Sequence, residues 1–383
     1  MIYFDNSATT RPYKEVVDLV AKLSYEEFGN PASLHSFGMR AERILEQSRK
    51  QLADTIKADP EEIIFTSGGT EAVNLAIKGS AEALKRSGKH ILSTPIEHPA
   101  ALESLKALES IGYEVEMFSV DGKGLINIGE LKEKLRKDTI LVNIMMVNNE
   151  TGVIQPVEEA GHIIKNNNPG TVFHVDAVQA YGKLPIDTRR LMADIMSFSA
   201  HKIHGPRGVG MMYLRHGTRI KPIMSGGGQE KQYRSGTVNV PGIAGFACAA
   251  VKKTGRMDQD NRTIKRVRER LISELKKRMP DRIRINSPED GLPGILSVSF
   301  SSVKSEVILH ALELSEIYVS SGSACSAKKN SISHVIKAMN IPAPWSDGTI
   351  RFSFSGENNE EEAKTCAKTL EDIMNTFSLK TGP

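Results

Sequence analysis

Lys202 sits in Ser197-Phe198-Ser199-Ala200-His201-Lys202-Ile203-His204-Gly205-Pro206, where an apolar, strand-like run breaks into a turn rich in glycine and proline. A short way upstream, Phe173-His174-Val175-Asp176 is a second apolar run that ends in an acid. A primary amine can bond to an aldehyde carbon, and a carboxylate can keep a pyridine nitrogen protonated. At the ends of neighbouring strands the two residue types suit pyridoxal phosphate, whose ring withdraws electrons while its nitrogen carries a proton.

Other polar clusters follow apolar runs in the same way. Thr66-Ser67-Gly68-Gly69-Thr70-Glu71 lies between a strand and a helix, where glycine lets backbone N–H groups turn toward a phosphate. The alternative is a plain strand-to-helix turn with Thr70 as the helix cap. His98, in Ile96-Glu97-His98-Pro99, is either a flat ring facing a ligand crevice or a local cap for the next helix. Val147-Asn148-Asn149-Glu150-Thr151-Gly152 offers amides to the same crevice, or simply makes a turn. Arg351 is the one charge in Thr349–Phe354; it is a clamp for a carboxylate or a surface-facing strand residue. Ser225–Glu230 and Tyr233–Thr237 form a polar stretch that could order around a phosphate outside its own domain, or remain a mobile surface loop.

In Ser320–Asn330, seven of eleven residues are Ser, Gly or Ala. With little side chain to pin it, this segment is expected to swing. Cys325 stands in its middle beside Lys328 and Lys329, and nearby lysines favour the reactive thiolate. Cys248 and Cys366 fall in helix-like apolar surroundings and read as structural. His174 with Asp176, and His201 with His204, lack a third spaced ligand, so no metal site is expected.

The elements that must position these groups alternate between strand-like and helix-like from about residue 14 to 250. That order predicts an α/β fold with a mostly parallel sheet covered on both faces. Beyond it, a charged amphipathic helix over Asp258–Arg278 bridges to a smaller α+β part. The expected division is a large domain over 14–257 and a small one formed by 1–13 and 258–383. The 383 residues suffice for both, and 39% apolar with 25% charged residues is a globular composition. The net charge of +4 is spread along the chain, which argues against a direct nucleic-acid partner. No apolar run approaches the ~18 residues that span a bilayer. The N-terminus carries no secretory pattern, and three cysteines make no disulfide framework, so a cytoplasmic, reducing location is expected.

Taken in order, Tyr3–Thr10, Phe28–Ser33, Thr66–Glu71, Asn148–Gly152, His174–Asp176, His201-Lys202, Arg234–Thr237 and Ser321–Cys325 resemble the cysteine desulfurases of the NifS/IscS type. These belong to the class V branch of fold-type I pyridoxal phosphate enzymes, and the resemblance spans nearly the whole chain. It implies that Lys202 holds the cofactor covalently, Asp176 pairs with its ring nitrogen, Gln179 bonds its phenolic oxygen and His98 stacks on its ring. Gly69, Thr70, Ser199 and His201 would hold the phosphate, and Thr237 would reach the phosphate of a second subunit in a homodimer. Asn149, beside the cofactor, would orient the carboxylate of L-cysteine together with Arg351. Cys325 would be the nucleophile that receives sulfur as a persulfide and passes it to a protein acceptor. Iron–sulfur cluster assembly and tRNA or cofactor thiolation draw on such persulfides. Selenocysteine lyases and aminotransferases of the same class are the nearest alternatives, and a non-catalytic carrier or scaffold is a more distant one. One departure is Lys328-Lys329-Asn330-Ser331-Ile332-Ser333, where this family often has an acidic residue and proline after the cysteine.

Overall fold

The computed structural model describes residues 1–322 and 332–378. Along the chain run β1 (Ile2–Tyr3), α1 (Lys14–Glu26), α2 (Ser36–Asp54), β2 (Ile63–Thr66), α3 (Gly69–Leu84), β3 (His90–Ser93), α4 (Pro99–Glu109), β4 (Glu114–Met117), α5 (Ile128–Lys134), β5 (Thr139–Met145) and α6 (Val157–Asn167). Then come β6 (Val172–Asp176), β7 (Ile195–Ser199), β8 (Gly210–Leu214), α7 (Val240–Gly255), α8 (Met257–Arg278), β9 (Ile283–Ile285), β10 (Ile295–Phe300), α9 (Ser305–Glu313), β11 (Ile317–Tyr318), α10 (His334–Ala338), β12 (Thr349–Ser353) and α11 (Glu360–Ser378).

Seven strands form the main sheet in the order β2-β8-β7-β6-β5-β3-β4. Its neighbours are parallel except at β8, which runs antiparallel to both β2 and β7. β5, β6 and β7 are buried throughout, as strands covered on both faces must be. Alternate residues feed opposite layers. Leu141, Val172 and Ile195 pack with Leu75 and Ala76 of α3 on one side. Val142, Phe173 and Met196 pack with Leu52 of α2, Ile164 of α6 and Phe246 of α7 on the other. This two-sided α/β sheet is the fold expected from the alternating pattern.

A polar ladder crosses this interior. His174 Nδ1 meets Asn143 Oδ1 at 2.7 Å and its Nε2 meets Ser197 Oγ at 2.8 Å, while Asn143 Nδ2 donates to Ser93 Oγ at 2.9 Å. Burial lowers His174 to about 3, so the ring stays neutral and serves the sheet.

β12, β10 and β9 make an antiparallel three-stranded sheet. α8 and α11 cover it through Leu271, Leu275, Cys366 and Leu370, which pack on Phe300 and Phe352. The N-terminal segment joins this second core: β1 pairs in parallel with β11, and Phe4 is fully buried there. Among the described residues no helix is long and apolar enough to cross a membrane.

Two of the alternative local readings are excluded. Thr70 does not cap α3. The cap position is Gly68 at φ +156°, and Glu71 reaches back to accept from the Ser67 N–H at 2.8 Å. The 225–237 stretch is not a loose loop. Glu230 accepts from Arg49 Nη2 at 2.8 Å and from the Phe65 N–H at 2.8 Å, and Arg234 Nε donates to Glu71 at 2.9 Å.

Candidate active site

β2, β3, β5, β6 and β7 all run the same way, so the segments that follow them emerge at one carboxyl edge of the sheet. That edge is where open α/β sheets bind ligands. Here it borders a cleft of ≈ 250 Å³. Lys202, Asp176, Ser199, His201 and Gln179 line it from one side, and His98, Asn149, Gly69, Thr70 and Arg351 complete the wall.

Lys202 ends the tight turn that follows β7. Its Nζ donates to the carbonyls of Ser7 and Ala8, at 2.5 and 2.8 Å. Neither carbonyl was singled out in the sequence. The only sequence signal for them is the run of small polar residues Asn6-Ser7-Ala8-Thr9-Thr10, which the Thr10–His201 backbone bond holds against the turn. Asp176 ends β6, is 6% exposed, and accepts from the Val178 N–H at 3.0 Å. Burial pushes its carboxyl up to about 6, against the opposing pull of Lys202. A cation placed against that carboxylate would relieve the cost of its burial.

The start of α3 fits a phosphate. A Cβ added at Gly69 would stand 2.8 Å from Val178 Cγ2, so only glycine keeps this backbone open. Ser199 Oγ is buried and has no hydrogen-bond partner among the described residues, which leaves a donor for an anion. His201 Nδ1 lies 3.3 Å from Thr9 Oγ1, and burial followed by the charge of Lys202 lowers the ring to about 4. These groups fit an anionic aldehyde cofactor: an amine, a buried acid and a glycine-opened helix N-terminus converge on one space.

His98 satisfies both readings made of it. Its Nδ1 accepts from the Ala100 N–H at 3.1 Å and caps α4, while the ring borders the cleft. Burial, with Lys202 adding to it, lowers it to about 4, so it is a neutral ring whose proton sits on Nε2. Glu97 beside it is fully buried, with Oε1 accepting from Thr94 Oγ1 at 2.8 Å and the Met145 N–H at 2.9 Å. Burial pushes Glu97 up to about 8, so it fastens the end of β3 to the end of β5 as a neutral acid.

Arg351 is 2% exposed. Its Nη1 donates to the Asn149 carbonyl at 3.0 Å and its Nη2 to Asp5 Oδ1 at 2.9 Å. Nε is buried without a partner among the described residues, a free N–H at the cleft wall. Asp5 escaped the sequence reading because it meets Arg351 only when the N-terminal segment lies beside β12. Thr237 is not in this cleft. It borders a separate depression with Ser67, Glu230 and Arg234. Cys325, Lys328, Lys329 and Asn330 lie outside the described residues.

A two-sided, mostly parallel sheet that presents a lysine, a buried acid and a glycine-opened helix start to one polar cleft defines an α/β enzyme. Residues 2–365 match the family model "Aminotransferase class-V". The chain is 42% identical to "Cysteine desulfurase IscS" of Dictyoglomus turgidum, over 97% of this chain and 94% of that one. A solved "NIFS-like protein" superposes with a TM-score of 0.92 at 39% identity, covering 98% of this chain and 99% of that one. The structure described as "SspA in complex with cysteine" gives a TM-score of 0.81 at 32% identity, over 92% of this chain and 99% of that one. The chain therefore belongs to the aminotransferase class-V family, and within it to the cysteine desulfurases of the IscS/NifS type.

Proposed function

We propose that this protein is a pyridoxal phosphate-dependent cysteine desulfurase. It takes the sulfur of L-cysteine onto Cys325 as a persulfide, releases L-alanine, and hands the sulfur to an acceptor protein. The observation that carries this reading is the convergence of Lys202, Asp176, Ser199 and the Gly69-Thr70 helix start on one cleft that Arg351 also borders. When bound, pyridoxal phosphate supplies an aldehyde for the substrate amine and a ring that takes up the electrons left on Cα.

Lys202 would hold the cofactor and then remove the Cα proton of the substrate. Asp176 would stay ionised against the ring nitrogen. Gln179 would bond the phenolic oxygen, and the neutral His98 ring would stack on the cofactor. Gly69, Thr70, Ser199 and His201 would hold the phosphate, and Asn149 and Arg351 would orient the substrate carboxylate. The Cys325 thiolate would attack the substrate sulfur; the carbon–sulfur bond breaks as the sulfur–sulfur bond forms. Overall, L-cysteine and the enzyme thiol become L-alanine and the enzyme persulfide.

A homodimer is part of the proposal. Thr237 stands apart from its own cleft, and Tyr25, Phe28 and Leu34 are 86%, 72% and 95% exposed, which suits burial by a second subunit. Cys248 and Cys366 are free thiols, in keeping with a cytoplasmic location. The acceptor is proposed to be a scaffold or thiolation enzyme that presents its own thiol for exchange.

The test follows L-cysteine turnover with a thiol reductant present. Wild type should form alanine and sulfide in equal amounts, and its Cys325 peptide should carry one extra sulfur atom before reduction. Cys325→Ser should keep bound cofactor and lose both products. A keto acid in place of alanine, or undiminished sulfide release by Cys325→Ser, would overturn the proposal.

A further inference from the structure

Behind Lys202 lies a second, smaller cavity, bordered by Lys183, Lys253, His204 and Asn261. Lys202 and Ser7 belong to the walls of both this cavity and the cleft. A chain of hydrogen bonds joins the two spaces. Lys183 Nζ donates to Gln179 Oε1 at 2.9 Å, and Gln179 Nε2 donates to the Ser7 carbonyl at 3.1 Å. That same carbonyl accepts from Lys202 Nζ at 2.5 Å. An ammonium group only donates, so Lys183 decides which way the Gln179 amide faces. The oxygen is held back toward Lys183, and the NH₂ group is turned toward Ser7 and the cleft.

The charges around Lys183 come from several elements. Lys253 of α7 pairs with Asp260 of α8 at 2.6 Å, and Arg351 of β12 pairs with Asp5 at 2.9 Å. His204 gives its Nδ1 proton to the Arg11 carbonyl at 2.8 Å and stacks on Tyr13, and burial keeps the ring neutral. Among the described residues no carboxylate stands within ion-pair distance of Lys183, whereas Lys202 shares its cavity.

We infer that Lys183 is a positioning residue for the active site: it orients the Gln179 amide and, when charged, lowers the proton affinity of Lys202. A second cation near a lysine is a known route to a more reactive amine. Burial first, then Lys202, Lys253 and Arg351, brings Lys183 itself down to about 7. Its charge therefore changes near neutrality, where Lys202 must alternate between holding and releasing a proton. The inference rests on the proposed role of Lys202, and one arm of the test works without cofactor.

In that arm, cofactor-free protein is melted from about pH 7 to about pH 10. Folded Lys183 gives up its proton in a range where the unfolded side chain keeps it, so this group makes stability rise with pH. Glu97 and Cys366, which burial keeps protonated, pull the other way in both proteins, so wild type should gain stability relative to Lys183→Met as pH rises over this range. In the second arm the visible absorbance of the cofactor-loaded enzyme is titrated. Lys183→Met and Lys183→Gln should raise the midpoint by about one pH unit. Lys183→Arg, which stays charged, should not raise it. The amide introduced by Lys183→Gln can still donate to Gln179, so that variant should also retain cofactor better than Lys183→Met. An unchanged midpoint in both uncharged variants, an equal upward shift in Lys183→Arg, or a melting profile that Lys183→Met leaves untouched would each overturn the inference. Failure of wild type to bind pyridoxal phosphate would overturn the proposed function and, with it, this role.

Discussion

Arg351 illustrates what a single side chain must satisfy at this site. Its fork serves the Asn149 carbonyl and Asp5 at once, and leaves Nε for a further acceptor. A lysine has one point of charge and cannot cover that spread. Arg351→Lys should therefore raise the KM for L-cysteine by about 10- to 100-fold, the loss of one charged hydrogen bond, with a smaller effect on kcat. Steady-state kinetics with L-cysteine check this; an unchanged KM would remove Arg351 from substrate binding. Lys202, Asp176 and Arg351 could be picked from the sequence because each is the one Lys, Arg, Asp or Glu in or directly after an apolar run. Their partners could not. Lys202 meets Ser7 across 195 positions and Arg351 meets Asp5 across 346, and no local pattern encodes such pairings.

Elements are tied together at the back of the Thr66–Glu71 turn. Arg49 of α2 pairs with Glu230, donates to the Ile63 carbonyl at 2.8 Å, and lies over the Phe65 ring. Glu230, Lys231 and Gln232 all adopt positive φ, so this bond holds a bent stretch that leads to Thr237. Both charged groups are buried, and removing one strands the other. Arg49→Met should cost about 3–5 kcal/mol, seen as a lower denaturant midpoint, and adding Glu230→Gln should recover part of it. Full stability of the single variant would mean that the pair contributes little. At this scale the sequence was most legible where apolar runs are long: β7 and β10 start and stop where the residue pattern changes. The reversed direction of β8 was not legible, because Gly210–Leu214 reads alike in either direction and only pairing with β2 and β7 sets it.

Over the whole molecule, burial shapes the response to pH. His98, His174, His201 and His204 are all neutral when folded and lowered to between about 3 and about 4. Unfolded histidines bind protons below about pH 6.5, so stability from these four is complete above that value and falls as pH drops toward 4. Asp176 and Glu97 act in the opposite sense, since their folded carboxyls keep protons that unfolded ones release. His90, also lowered by burial, adds to the histidine side, which outweighs the two carboxyls. The cofactor-free protein should therefore lose melting temperature between about pH 6.5 and about pH 4. A flat or rising profile over that range would show that these rings are not held neutral.

The sequence by itself determined the α/β order of elements, the lysine and acid at two strand ends, and the glycine-opened turn. These depend on local periodicity and on residue chemistry that does not change with context. Only the tertiary structure decided that five strand ends share one edge, that the N-terminal carbonyls hold Lys202, and that Lys183 stands behind it. Such contacts follow from packing two cores against each other. The free energy that fixes them comes from burial of the whole surface, which no short segment carries alone.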